Sequence, residues 1–120
     1  MNNKINLSLI LLALVFLSAG CVSSLPKSQL QFGVEAAQYG LWDEAIFRWK
    51  KVLQFEPDSA AAHNNLAVAY EKKGEFEKAE KEYQKALQLN PKNEQIQANY
   101  RRFQNNLDQD RKKEEKNEKK

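Results

Sequence analysis

The sequence predicts an all-α protein in which two helix-turn-helix repeats and a closing helix stack as a short α-solenoid. One basis is a constant offset of 34 residues, which we call the repeat period. It separates six pairs of similar residues: Gly40 and Gly74, Trp42 and Phe76, Ala45 and Ala79, Trp49 and Tyr83, Leu53 and Leu87, Pro57 and Pro91. The other is that apolar residues within each period recur at helical spacing. Periods of roughly 20 to 50 residues indicate arrays of one supersecondary unit.

Residues 1–20 have the layout of a secretory signal peptide and are not expected to enter the fold. Lys4 gives a positive start, and the apolar run 7–17 follows with only one serine in it. Three small residues close the segment: Ser18, Ala19 and Gly20. A helix that crosses the hydrocarbon core needs about 20 apolar residues, so this run is too short to span a bilayer.

Cys21 is the only cysteine of the chain, so it cannot form an internal disulfide. The stretch LSAGC at 17–21 resembles the lipobox of bacterial lipoproteins, which implies cleavage between Gly20 and Cys21 and a lipid on the Cys21 thiol. The alternative is an ordinary secreted protein with an unmodified cysteine. Acyl chains contribute about 0.8 kcal/mol per buried CH₂, so two or three would anchor the mature chain stably.

The residues after the cysteine bear on localisation. Val22 and Ser23 follow it, with no Asp at the second mature position. By resemblance to lipoprotein sorting in enteric bacteria, this implies the bacterial outer membrane, facing the periplasm. Residues 21–25 then form a short lipidated linker that tethers the domain to the membrane.

Each repeat is predicted to hold two amphipathic helices joined by a tight turn. In the second repeat, Leu66 and Tyr70 mark the first helical face, and Phe76 and Tyr83 mark the next. Gly74 suits the turn because glycine enters the left-handed region without a Cβ penalty. Two small residues are expected where the paired helices approach most closely: Ala79 and Ala86.

This pattern resembles the tetratricopeptide repeat. In repeat 60–93 the matching residues are Leu66, Ala67, Tyr70, Gly74, Phe76, Ala79, Tyr83, Ala86 and Pro91. In repeat 26–59 they are Phe32, Gly33, Gly40, Trp42, Ala45, Trp49 and Pro57. Departures fall at Ala36, Val52 and His63, where Tyr, Ala and Trp are usual. The resemblance implies a right-handed α-solenoid that binds a protein or peptide in its concave groove.

Residues 94–109 are predicted as a capping helix. Four apolar residues recur there at spacings of four, three and four: Ile96, Tyr100, Phe103 and Leu107. Stacked repeats expose an apolar face at their end, so a terminal helix with a polar outer side is needed for solubility. The tail 110–120 holds no apolar residue and either extends this helix or is disordered.

Composition and residue content argue against several functions. Nineteen basic and 16 acidic residues give a net charge of +3, which does not indicate nucleic-acid binding. The single histidine, His63, lies at a packing position and has no partner for a metal or catalytic site. Glu77 and Lys81 form an i, i+4 pair that needs no substrate to explain it. We therefore expect no enzymatic activity, no cofactor and no metal.

The resemblance places the candidate partner-binding residues on the first helix of each repeat and on the capping helix. They are Leu30, Val34, Ala37, Asn64, Val68, Glu71 and Arg102. This surface is mostly apolar with one amide and one charge of each sign, so it suits a short apolar or helical segment. For each of these residues, plain packing is an equally good interpretation.

Two apolar residues of the first repeat depart from the family pattern. Leu41 lies in the turn, and Phe47 lies on a helix face that normally contacts water. They form either a contact for a partner or a second copy, or a surface covered by the segment Leu25–Leu30. Solenoids typically need about three repeats for stability, so two repeats and a cap favour association, including a homo-oligomer.

These observations together predict a membrane-anchored adaptor or scaffold for proteins of a cell-envelope complex, which serves secretion, pilus or outer-membrane assembly. The alternative is a non-catalytic regulator of a peptidoglycan-acting envelope enzyme.

Overall fold

The computed structural model describes residues 25–119, which form five α-helices. They are α1 (Leu25–Gln38), α2 (Trp42–Phe55), α3 (Ala60–Lys72), α4 (Phe76–Leu89) and α5 (Glu94–Glu118). No strand occurs among the described residues, which confirms the predicted all-α fold. The predicted signal peptide and Cys21 lie outside the described residues.

The helices pack in two layers. Helix α1 pairs with α2 and α3 pairs with α4, and these two pairs stack through contacts of α2 with α3. Helix α5 packs against α4 and α3, as the first helix of a further repeat would. Contacts of α3 with α1 and α5 place α1, α3 and α5 side by side in one layer.

Both intra-repeat turns have the same hydrogen-bond pattern. In the first, the N–H of Leu41 donates to the carbonyl of Ala36 at 2.9 Å, and that of Gly40 donates to the carbonyl of Ala37 at 3.0 Å. This is a Schellman motif, which needs a left-handed residue just after the helix. Gly40 and Gly74 supply it with φ of 72° and 74°. The two glycines therefore recur at the repeat period because of a backbone requirement that both repeats share.

The helices that follow the prolines begin at side-chain caps. Ser59 Oγ accepts the N–H of Ala62 at 3.4 Å before α3, and Asn93 Oδ1 accepts the N–H of Ile96 at 3.0 Å before α5. Each bond satisfies one backbone donor of the first helical turn. Pro57 lies shortly before the first of these caps, in the loop where α2 has ended.

Small residues allow the helix pairs to approach closely. Ala45, Ala79 and Ala86 are each 0% exposed. In the first repeat the Trp49 ring lies directly over Gly33, where a Cβ would come within 2.3 Å of Trp49 Nε1. The indole N–H donates to the carbonyl of Leu30 at 3.2 Å. The ring therefore fills the space that a side chain at position 33 would need.

Helix α5 is one continuous element that includes both the predicted cap and most of the predicted tail. Ile96 and Phe103 are buried, whereas every described residue after Leu107 is exposed. The position one repeat period after Gly74 is Asp108, so no glycine ends this helix. Two i, i+3 ion pairs support its exposed half, Arg111 with Asp108 at 2.7 Å and Lys113 with Asp110 at 3.1 Å.

Candidate functional site

A cavity of about 310 Å³ opens on the layer formed by α1, α3 and α5. Val34, Ala37 and Val68 supply apolar surface, and Trp42 and Trp49 reach it from α2. The remaining lining residues carry uncharged amides: Gln38, Asn64, Asn65, Gln95 and Asn99. No lining residue is charged, so we call this surface the amide groove.

The amides of the groove form part of a hydrogen-bond chain. Asn99 Nδ2 donates to Asn64 Oδ1 at 3.1 Å, and Asn64 Nδ2 donates to Asn65 Oδ1 at 3.4 Å. The first of these bonds joins α5 to α3 across the groove. Asn64 is only 7% exposed, so its amide is held in one position by its neighbours. A fixed amide of this kind can orient the backbone of a bound segment.

The charges beside the groove compensate each other. Arg102 Nη2 donates to Glu71 Oε2 at 3.2 Å, and the Tyr83 hydroxyl donates to the same oxygen at 2.9 Å. Arg102 Nη1 lies 3.5 Å from Asn99 Oδ1, which links this pair to the amide chain. Glu71 therefore has both a counter-charge and a hydroxyl donor within the protein, and it presents no free charge to a ligand.

Tyr83 is 0% exposed and lies behind this ion pair. Burial raises the pKa of its phenol, and the hydrogen bond to the Glu71 carboxylate raises the pKa further. Both causes disfavour a negative charge on the ring. The hydroxyl therefore remains a donor to Glu71 at any physiological pH.

The structure brings most of the predicted groove residues together. The cavity is lined by four of them: Val34, Ala37, Asn64 and Val68. Two more, Glu71 and Arg102, form the ion pair beside it. Leu30 lies outside the cavity, where it is half-buried and packs against the core. The sequence did not assign six lining residues to the groove: Gln38, Trp42, Trp49, Asn65, Gln95 and Asn99. Asn99 could have been found, because it lies one repeat period after Asn65.

His63 joins α3 to two other parts of the second repeat. Its Nδ1 lies 2.6 Å from Glu82 Oε2 on α4, and its Nε2 lies 3.0 Å from the carbonyl of Pro57. The first repeat has a related contact one repeat period earlier in the chain, where Arg48 Nη1 donates to Gln29 Oε1 at 3.2 Å. These contacts give His63 a role in holding the helix pair together, as predicted from its packing position.

Leu41 and Phe47 are both exposed, at 57% and 49%. Leu41 lines a shallow cavity at the first turn together with Lys73 of the second repeat. The Phe47 ring lies 5.0 Å from Lys51 Nζ and 5.7 Å from the Arg48 guanidinium carbon. The structure therefore places the two residues in different surroundings, one at a turn and one beneath cationic side chains.

Within residues 25–119, no helix has the length and apolar character required to cross a bilayer. The same residues hold no group of three or more His, Cys, Asp or Glu side chains placed to bind a metal ion.

The fold and the groove define a helical-repeat protein with a cavity on the layer of α1, α3 and α5, and comparison with known families identifies the repeat. Residues 60–93 match the family model of the tetratricopeptide repeat, and residues 37–74 match a second family model, that of the TPR repeat. The chain is therefore a tetratricopeptide-repeat protein.

A curated relative gives a more specific likeness. The chain is 34% identical over 109 aligned residues to the type IV pilus assembly protein PilF of Pseudomonas aeruginosa. The match covers 76% of this chain and 43% of the relative, so this chain spans less than half of the relative's length.

Proposed function

We propose that this chain is a lipid-anchored, non-catalytic adaptor that holds an uncharged apolar segment of another envelope protein in the amide groove. The observation that carries this proposal is the composition of the groove, which combines an apolar floor, fixed amides and an internally neutralised ion pair. The name of the Pseudomonas relative supports assembly of a type IV pilus as the process served.

The chemistry of the groove selects against charged ligands. A charged side chain that entered it would lose hydration without finding a free counter-charge, since Glu71 and Arg102 satisfy each other. An apolar segment would instead cover Val34 and Val68, and its backbone would meet the groove amides. The complex is therefore expected to persist at high salt, because screening weakens mainly exposed charge pairs.

The anchor proposed at Cys21 would hold the groove close to the membrane. Helix α1 begins at Leu25, and a chain of that length would reach at most roughly 14 Å at about 3.3 to 3.6 Å per residue. The partners are accordingly envelope proteins, and the outer membrane facing the periplasm is the proposed location. Labelling cells with an alkyne analogue of palmitate is expected to mark the wild type, whereas Cys21→Ser abolishes the label.

The groove is tested by complementation in the bacterium that carries the gene, with surface pili as the readout. The test variant is Val34→Glu with Val68→Glu, which puts two carboxylates on the groove floor. The matched control is Gln54→Glu with Gln88→Glu, which places the same residues one repeat period apart on exposed sites of α2 and α4. We expect the control to restore pili in a deletion strain and the groove variant to fail at equal protein level.

Two results would contradict the proposal. One is full restoration of pili by the groove variant, which would show that the amide groove is dispensable. The other is an unchanged number of pili in the deletion strain, which would separate this chain from pilus assembly altogether.

A further inference from the structure

Helix α5 extends well beyond the point where its counterpart α3 ends. Helix α3 ends at Lys72 just before Gly74, whereas the position one repeat period after Gly74 is Asp108 and α5 continues to Glu118. At about 1.5 Å per residue, this extension is roughly 18 Å long. Every described residue of it beyond Leu107 is exposed, so its polar sides are accessible to another molecule.

The side of α5 that lines the amide groove continues along this extension. Gln95 and Asn99 line the groove, and positions alternately three and four residues further on lie on the same side of a helix. The positions on this side, which we call the lysine row, are Gln95, Asn99, Arg102, Asn106, Gln109, Lys113 and Lys116. The row holds no carboxylate and no apolar residue, and it changes from amides at the groove to cations at its far end.

The carboxylates of the extension lie on other sides of the helix. Asp110 and Glu114 continue the line of Phe103 and Leu107, which pack against the core. None of the acidic residues of 108–118 occupies a position of the lysine row. Charge is therefore segregated around α5, and its positive side is continuous with the groove.

The cations of the lysine row differ in their partners within the protein. Arg102 pairs with Glu71 beside the groove at 3.2 Å. Lys113 has only an exposed pair with Asp110 at 3.1 Å, and no residue of 25–119 forms an ion pair with Lys116. An exposed pair contributes at most about 1 kcal/mol. Lys113 and Lys116 are therefore available to carboxylates of another molecule.

We propose that the lysine row binds an acidic stretch of the same partner protein whose apolar segment lies in the amide groove. This inference rests on the proposed function and specifies the chemistry of the partner. Charge complementarity identifies the acidic stretch, and the continuity of the row with the groove places it next to the apolar segment. Because Lys113 and Lys116 are exposed, their contribution to binding is screened by salt, whereas the contribution of the groove is not.

The helix also sets the spacing between the two parts of the partner. Lys113 and Lys116 lie about 21 Å and about 26 Å further along α5 than Asn99, at about 1.5 Å per residue. An extended chain covers these distances in about six to eight residues, at about 3.3 Å each. We therefore expect Asp or Glu about six to eight positions from the apolar residues that contact the groove.

The test measures binding of two fluorescein-labelled peptides to the full-length chain in neutral detergent by fluorescence anisotropy. The acidic probe joins a block of leucine and alanine to a block of glutamates through a glycine-serine spacer of about six residues. The amide probe carries glutamines in place of the glutamates. At low salt the acidic probe should bind about tenfold more tightly, a difference of about 1.4 kcal/mol. In about 1 M salt, where the Debye length is about 3 Å, the two affinities should become equal.

A pair of variants assigns the preference to the row. Lys113→Gln with Lys116→Gln should weaken binding of the acidic probe about tenfold at low salt and leave the amide probe unchanged. The matched control is Lys81→Gln with Lys85→Gln, which removes the same charge from α4, in the other layer of helices. The control should keep the full preference for the acidic probe.

The outcomes separate this inference from the proposed function. Equal affinity of the wild type for the two probes at low salt would overturn the lysine row and leave the groove standing, as would equal loss in the two lysine variants. Undiminished binding of the amide probe by Val34→Glu with Val68→Glu would contradict the groove instead, and failure of either probe to bind at all would contradict both.

A membrane is the other anionic surface that a row of lysines could contact. Vesicles of phosphatidylglycerol, with phosphatidylcholine vesicles as the reference, distinguish it from an acidic protein segment. If Lys113→Gln with Lys116→Gln abolished binding to the phosphatidylglycerol vesicles and left the acidic probe unaffected, the row would belong to the membrane and the proposal would be overturned.

Discussion

Replacing Gly33 by alanine tests the closest helix contact in the fold. The new Cβ would lie 2.3 Å from Trp49 Nε1 and 2.7 Å from Cδ1 and Cε2, well inside contact distance. Trp49 is 2% exposed, so its ring cannot move into solvent to relieve the clash. Any shift of the ring also weakens its hydrogen bond to the carbonyl of Leu30.

The expected change in the free energy of unfolding follows from three contributions. Overpacking costs about 1 to 3 kcal/mol, and the weakened hydrogen bond costs about 1 kcal/mol. Alanine stabilises a helix by about 1 kcal/mol relative to glycine, which offsets the second contribution. We therefore expect Gly33→Ala to lower the free energy of unfolding by about 1 to 3 kcal/mol, measured by urea denaturation followed by circular dichroism. Gln31→Ala, on the exposed side of the same helix, should change it by less than about 0.5 kcal/mol.

The second repeat supplies a compensating change. It pairs Ala67 with Tyr83 at the positions that Gly33 and Trp49 occupy in the first repeat. Adding Trp49→Tyr to Gly33→Ala should therefore be less destabilising than the sum of the single changes, with a coupling of at least about 1 kcal/mol. Strict additivity, or stabilisation by Gly33→Ala alone, would refute the claim that a side chain at position 33 competes with the ring.

Three further predictions concern other parts of the fold. Ala79→Leu should lower the free energy of unfolding by about 1 to 3 kcal/mol in urea denaturation, because Ala79 is 0% exposed, and retained stability would show that the helices can separate there. Because the pKa of Tyr83 is raised, its contribution to the free energy of unfolding is fully present below the ordinary tyrosine pKa near 10 and is lost as pH rises above it. The urea midpoint of unfolding should therefore fall with alkaline pH, and it should fall less steeply in Tyr83→Phe. Lys112→Pro should reduce the helical ellipticity but leave the urea midpoint unchanged, since that part of α5 is exposed; a lower midpoint would mean that it packs against the repeats.

Local sequence signals predicted the elements of this fold well, because each of those signals acts within a few residues. Gly40 and Gly74 fit the Schellman turns through backbone conformation alone. The repeat period predicted the stacking of the repeats without any knowledge of side-chain contacts. The end of α5 could not be predicted in the same way, because charged residues without a glycine or proline suit both a helix and a disordered tail.

The candidate site, too, could be predicted from the sequence only in part. Val34, Ala37, Asn64 and Val68 could be assigned to the groove, because the resemblance to the tetratricopeptide repeat implies which helix positions face it. The hydrogen bond of Asn99 to Asn64 and the ion pair of Arg102 with Glu71 join residues 35 and 31 positions apart. Such contacts depend on how far α5 is shifted and rotated against α3.

The sequence by itself determined the repeat, its turns and the helix faces, since helical period and backbone preference are local properties. Only the tertiary structure decided that the groove carries no free charge and that, within residues 25–119, no helix lies over the outer side of α1. Both depend on the distance between helices that are remote from each other in the chain. Tertiary packing sets this distance, and local sequence preference does not.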